Sequence, residues 1–91
     1  MMKPQMQKLL AELLGTFVLV FVGITALSTS GGSGIAPFAF GLALLGALYA
    51  FGEVSGGHFN PGVSLAMFLD RRLAINDLFS YWIAQVVGAI Q

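Results

Sequence analysis

The residues best suited to chemistry lie in one short segment, residues 55–61, which ends in the pair Asn60-Pro61. Asparagine is a favoured helix N-cap and proline a favoured first helical residue, so this pair predicts the start of a helix. The glycine-rich residues 55–59 before it have no helical partners for their carbonyls. The segment also carries the only histidine of the chain, His58. It can therefore offer hydrogen bonds to small polar molecules, but it has no acid–base pair, nucleophile or metal cluster, and we expect no enzyme activity.

The composition points to a membrane. Of the 91 residues, 57% are hydrophobic and 9% are charged, and the formal net charge is zero. Soluble domains carry about 25% charged residues. The absence of cysteine excludes disulfides and thiolate zinc sites, and one histidine cannot build a multi-histidine metal site. We therefore expect no cofactor. A neutral chain without a basic stretch is a poor nucleic-acid binder, so we expect no nucleic-acid partner either.

Three apolar runs cover residues 9–27, 35–52 and 78–91. A membrane-spanning helix takes about 20 residues, which the first two runs provide. The third run falls short by about two helical turns and reaches Gln91 without a glycine cap or a basic anchor, so we expect it to be incomplete. A signal peptide is the alternative for the first run, but the run is too long and contains Glu12.

The basic residues predict the orientation. Lys3 and Lys8 precede the first run, and Arg71 and Arg72 separate the second run from the third. The connection at residues 28–34 is neutral. The positive-inside rule therefore predicts a multi-pass protein with a cytoplasmic N-terminus.

Residues 63–69 continue the predicted helix after Asn60-Pro61 as two apolar turns, before charged residues return the chain to water. A short apolar helix that starts and ends on the cytoplasmic side must dip into the membrane. Irregular backbone at that depth is tolerated only where protein buries it or where it lines a water-filled cavity. The segment therefore indicates a channel. The alternative, a helix lying in the headgroup layer, would carry basic residues along a polar face.

Small residues recur at helix-packing spacing. Ala39, Ala43 and Ala47 share one face of the second run, with Gly46 and Ala50 on a neighbouring stripe, and Gly15 and Gly23 lie about two turns apart in the first. Such patterns favour close approach of helices in a bundle.

Four signatures resemble those of the aquaporin, or major intrinsic protein, family. Residues 55–61 (SGGHFNP) are similar to its first re-entrant loop, SGGHxNPA, and residues 11–17 to its first-helix signature, AExxGTF. Residues 39–41 and 81–89 resemble its second-helix and third-helix patterns. The resemblance implies an all-α membrane protein, the first of two repeats: helix 1 at about 8–27, helix 2 at about 35–53, a re-entrant loop and Asn-Pro half-helix at 54–69, and a truncated third transmembrane helix at about 77–91.

The resemblance also implies roles for individual residues. The carbonyls of residues 56–59 would form a ladder of acceptors along the pore, and the Asn60 amide would donate to passing water at the start of the half-helix. Phe40 would be the aromatic member of the selectivity filter, of the kind typical of water-selective members. Glu12 and Gln85 would support the loop. The pore-lining set is then Phe40, Gly56, Gly57, His58, Phe59, Asn60 and Pro61.

Plainer readings remain for three of these side chains. His58 could be packed under the loop, Phe40 could be ordinary bundle packing, and Glu12 could extend its carboxylate to the membrane surface.

Two departures from the family pattern are present. Gly62 stands where the motif usually has alanine, and the chain holds one Asn-Pro loop and no second copy. We therefore expect the N-terminal half of a water channel that needs a second repeat or another half-channel, embedded in cell-membrane lipid and, by resemblance, forming a homo-tetramer. The alternatives are a glycerol or small neutral solute facilitator, and a non-conducting small membrane interaction protein or truncated remnant.

Overall fold

The described part of the chain folds into four α-helices. A computed structural model describes residues 3–30 and 34–90, and within these residues it contains α1 (Pro4–Ser30), α2 (Ile35–Ser55), α3 (Pro61–Leu69) and α4 (Ile75–Ile90). No strand occurs in the described ranges, in agreement with the all-α expectation. Residues 31–33 of the predicted connection and residue 91 of the predicted third span lie outside the described residues.

Both α1 and α2 extend past their predicted bounds. α1 begins at Pro4 rather than near residue 8, because proline is well suited to the first helical turn. It also continues to Ser30, so residues 28–30 of the predicted connection are helical. α2 ends at Ser55, and the C-cap residue Gly56 adopts a left-handed φ of 91° and donates its N–H to the Gly52 carbonyl at 2.8 Å.

Two helices are long and apolar enough to cross a membrane, over Pro4–Thr29 and Ile35–Ser55. Large apolar side chains lie exposed along both, including Phe21 and Ile24 on α1 and Phe38 and Leu42 on α2. The 16 residues of α4 make about 24 Å of helix, less than a hydrocarbon core of about 30 Å. A membrane crossing by α4 therefore stays a prediction.

α1 is the central element of the bundle, since it packs against both α2 and α4, while α3 packs against α4. Ala43 and Ala47 are buried in α2, as the spacing of small residues predicts, but the neighbouring Gly46 and Ala50 are exposed. α4 approaches the backbone of α1 closely at Gly88, where a Cβ atom would overlap the Leu13 carbonyl oxygen. Small residues thus set the distances between these helices.

One end of the bundle collects the basic side chains. Gln5 Nε2 donates to Asp77 Oδ1 at 3.0 Å and so joins the first turn of α1 to the first turn of α4. Lys3 and Lys8 lie at this end of α1, and the turn that carries Arg71 and Arg72 leads directly into α4.

Candidate functional site

The first turn of α3 is capped by Asn60, as its sequence predicts. Asn60 has an extended backbone (φ −158°), Pro61 is the first helical residue, and Asn60 Oδ1 accepts a hydrogen bond from Gly62 N at 2.7 Å. The cap uses the amide oxygen. The amide nitrogen of this exposed residue has no partner in the described part of the chain.

The loop before Asn60 has an unusual backbone. Gly56, Gly57 and Phe59 all have positive φ angles, of 91°, 69° and 55°. This region suits glycine, but a bulky residue such as Phe59 enters it only when its surroundings hold it there. No described residue donates a hydrogen bond to the carbonyls of residues 56–59. The carbonyl of residue 55 likewise has no backbone donor, but the Tyr81 hydroxyl of α4 donates to it at 2.7 Å.

The N–H side of the same loop is bound to Glu12. Glu12 Oε2 accepts from the Ser55 hydroxyl at 2.6 Å and from His58 N at 3.1 Å, and Oε1 accepts from Phe59 N at 2.8 Å and Gln85 Nε2 at 2.7 Å. An ionised carboxylate has about four acceptor positions, and four donors fill them. Glu12 is 0% exposed, so the carboxylate does not extend to the membrane surface. A buried charge is tolerated when it is hydrogen-bonded in this way.

A second set of hydrogen bonds surrounds the imidazole. Ser64 Oγ of α3 lies 2.9 Å from His58 Nδ1 and accepts from Gln85 Nε2, also at 2.9 Å. Ser64 is 0% exposed. Ser64 was not predicted as a site residue. Its polar side chain, four residues after Asn60 in an otherwise apolar run, is the sequence feature that indicates it.

α4 also contacts the start of α3 directly. Trp82 Nε1 donates to the Pro61 carbonyl at 3.0 Å, and the Trp82 ring packs edge-on against Phe79 with ring centroids 5.7 Å apart. Tyr81 and Trp82 were not predicted as site residues. Together with Gln85 they tie the loop and the half-helix to α4.

The ring of Phe59 fixes the depth of the loop in the bundle. It is buried against Gly15 of α1, where a Cβ atom would overlap the ring. Gly15 lies near the middle of α1, a helix of about 40 Å. Asn60 follows Phe59 directly, so α3 begins about halfway along the longest helix.

Phe40 lies apart from this network. Its ring packs against Gly23 of α1, about two turns beyond Gly15, in a space that a Cβ atom would fill. The structure therefore brings together Glu12, the loop and Gln85, and it does not bring Phe40 to them. A role for Phe40 in a filter stays a prediction.

The arrangement can bind small polar molecules by hydrogen bonds. It presents unpartnered carbonyl acceptors and the Asn60 amide donors side by side in sequence. Among the described residues, no group of three His, Asp or Glu side chains is placed to hold a metal ion.

Comparison with known proteins identifies the family. The sequence model described as "Major intrinsic protein" matches residues 2–91. The chain is 51% identical over 86 residues to glycerol uptake facilitator protein-like 6 of Lactiplantibacillus plantarum and 48% identical over 92 residues to aquaporin Z of Brucella melitensis, in each case over 93% of this chain and 40% of the relative. It is 38% identical over 94 residues to nodulin-26 of Glycine max, over 96% of this chain and 34% of the relative.

These matches cover nearly all of this chain, which spans about 40% of the length of the first two relatives. Members of the family are membrane channels rather than enzymes, in line with the expected absence of catalytic groups. The chain belongs to the major intrinsic protein family.

Proposed function

We propose that the chain is the N-terminal half of an aquaporin-type channel for passive movement of water. The observation that carries the proposal is the loop at residues 56–59, whose N–H side is bound to Glu12 while no described residue donates to its carbonyls. Free carbonyls at the middle of a helical bundle require a partner, and water in a pore is one.

In this proposal the loop and the half-helix act on the same water. Water donates to the loop carbonyls, and its oxygen accepts from the Asn60 amide at the N-terminal, positive end of α3. The cap bond from Gly62 N holds the amide oxygen and leaves the NH₂ group free to donate. Glu12 and Gln85 keep the loop in position.

We propose the following arrangement in the cell membrane. α1, α2 and α4 cross the lipid, α3 enters it from the cytoplasmic side, and the N-terminus is cytoplasmic. The support is that Lys3, Lys8, Arg71 and Arg72 all belong to one end of the bundle. Thiol labelling of Lys3→Cys in sealed cells tests the orientation, since a membrane-impermeant reagent should reach this site only after lysis.

A complete pore needs a second repeat or another half-channel, because one loop and one half-helix form only one side of a channel. In families built from inverted repeats, the binding sites lie where the repeats meet. By resemblance to the family, complete channels form a homo-tetramer, which cross-linking in the membrane tests.

A glycerol or small neutral solute facilitator is the second candidate. It is favoured by the 51% identity to a protein named as a glycerol uptake facilitator, whereas Phe40 resembles the filter residue of water-selective members.

Stopped-flow light scattering tests these functions on the whole gene product that carries these residues, reconstituted into liposomes. We expect faster shrinkage than empty liposomes in a salt gradient and little entry of glycerol. Glycerol entry at rates close to those of water would favour the facilitator. Shrinkage no faster than that of empty liposomes would contradict both the water channel and the facilitator. The remaining interpretation would then be a non-conducting interaction protein or remnant.

A further inference from the structure

The hydrogen bonds around His58 have only one consistent direction. The Gln85 amide nitrogen contacts Glu12 Oε1 and Ser64 Oγ, at 2.7 and 2.9 Å. A carboxylate only accepts, so the nitrogen rather than the oxygen of this amide must face Glu12. Both hydrogens of the NH₂ group are then used, one on each partner. Ser64 Oγ is therefore an acceptor for Gln85.

The single hydroxyl hydrogen of Ser64 has one available acceptor. Ser64 Oγ has two partners among the described residues, Gln85 Nε2, which donates to it, and His58 Nδ1, at 2.9 Å. If His58 Nδ1 carried a hydrogen, it would also donate to Ser64. The hydroxyl hydrogen of this fully buried residue would then have no acceptor, which is unfavourable. His58 Nδ1 therefore accepts from Ser64, and the hydrogen of the neutral ring lies on Nε2.

The opposite ring nitrogen lies beside Gly56, the first residue of the loop whose carbonyls are unpartnered. His58 Nε2 has no hydrogen-bond partner among the described residues, and the nitrogen keeps some accessible surface in a residue that is otherwise buried. It lies 3.2 Å from where a Cβ atom on Gly56 would be.

We propose that Ser64 and Gln85 are positioning residues that fix His58 as the neutral Nε2–H tautomer, and thereby present a hydrogen-bond donor at the loop, next to Gly56. A water molecule at this point accepts from His58 Nε2–H and donates to a carbonyl, so it binds in one orientation. The direction of the hydrogen bonds stands on the contacts alone, whereas the role in orienting water rests on the proposed function.

Nitrogen-15 NMR of histidine tests the tautomer in the whole gene product reconstituted in lipid, at about pH 8, above the usual histidine pKa of about 6.5. A difference spectrum against the His58→Gln variant assigns the signals. We expect one neutral tautomer with protonated Nε2 and an unprotonated, hydrogen-bonded Nδ1. A protonated Nδ1, or a mixture of tautomers in the unmodified protein, would overturn the proposal.

Two substitutions at Ser64 test whether its hydroxyl fixes the His58 tautomer. Ser64→Ala should move the Nδ1 signal to the position of a nitrogen without a hydrogen bond and let the second tautomer appear, whereas Ser64→Thr should retain the unmodified spectrum. Ser80→Ala, a half-buried serine of α4, serves as the control. An unchanged Nδ1 signal in Ser64→Ala would overturn the proposal, and if this variant does not fold, the spectrum of the unmodified protein still decides.

Water permeability, measured on the same liposomes, keeps the two proposals distinguishable. If His58 is the Nε2–H tautomer and the liposomes are not permeable, the proposed tautomer stands and the proposed function fails. If the liposomes conduct water and His58 Nδ1 is protonated, the proposed function stands and the proposed tautomer fails.

Discussion

The Phe59 ring occupies the space that Gly15 leaves on α1. Phe59 is 2% exposed, and a Cβ atom on Gly15 would overlap its ring. Phe59 also has a positive φ of 55°, which a bulky residue adopts only when its surroundings enforce it. The ring on Gly15 and the N–H bond to Glu12 hold it there, and the chain enters Asn60 from this fixed point.

Gly15→Ala should displace this ring and loosen the loop. Overpacking of a buried site costs about 1–3 kcal/mol, and we expect a loss of that order in the free energy of unfolding in detergent. Gly46→Ala is the matched control, because a Cβ atom there meets nothing within 4 Å. Helix propensity then favours alanine by about 0.5–1 kcal/mol. Equal stability of the two variants would contradict the packing of Phe59 on Gly15.

Gly88→Ala should be more damaging than Gly15→Ala. The new Cβ atom would overlap the Leu13 carbonyl oxygen, which belongs to the backbone and cannot move aside as a side chain can. α1 and α4 must then separate, which also weakens the contact of Gln85 with Glu12. We expect a larger fall in the thermal unfolding temperature than for Gly15→Ala. The reverse order would mean that α1 and α4 are not in backbone contact at this point.

The sequence could predict the elements with local signals. The Asn60-Pro61 pair marks the start of α3, and the apolar runs mark α1 and α2, because capping and hydropathy depend on neighbouring residues. Pro4 carried the signal for the start of α1 and was overlooked.

The site depends on contacts between residues distant in sequence. The bonds from Ser64 and Tyr81 to the loop join α3 and α4 to residues 55–58, and periodicity within one helix cannot reveal such partners. The same limit explains why the Tyr81 donor to the carbonyl of residue 55 was not predicted. It also explains why the packing of Phe59 on Gly15 was not predicted.

Glu12→Gln should destabilise the loop. One of the two oxygens becomes an NH₂ group, which faces two donors and can accept from neither. Each hydrogen bond to a charged group contributes about 1.5–3 kcal/mol, so we expect a loss of at least about 3 kcal/mol in the free energy of unfolding. Glu53→Gln, on an exposed side chain of α2, should change it by less than about 0.5 kcal/mol. Similar values for both variants would contradict the role of the Glu12 carboxylate.

Tyr81→Phe should leave the carbonyl of residue 55 without its donor, since the Tyr81 hydroxyl supplies that bond at 2.7 Å. An unsatisfied buried acceptor costs about 1–3 kcal/mol. Tyr49→Phe removes the same hydroxyl from a side chain that is 85% exposed, so it controls for the chemical change. Hydrogen exchange at residues 56–59 should accelerate in Tyr81→Phe and stay unchanged in Tyr49→Phe. Unchanged exchange in both would show that Tyr81 does not hold the loop.

The central claim is that the Asn60 amide donates to water in transit, and two substitutions remove that donor. Asn60→Asp keeps an oxygen for the cap bond from Gly62 N but replaces the NH₂ group by a second, negatively charged oxygen. Asn60→Ser keeps a neutral cap and also removes the NH₂ group. Asn76→Asp makes the same charge change at an exposed site on α4.

The decisive measurement is the osmotic water permeability of liposomes that contain equal amounts of the whole gene product or these variants. The account predicts that Asn60→Asp and Asn60→Ser lose most of the permeability gained over empty liposomes, while Asn76→Asp retains it. Full permeability in both Asn60 variants would contradict it.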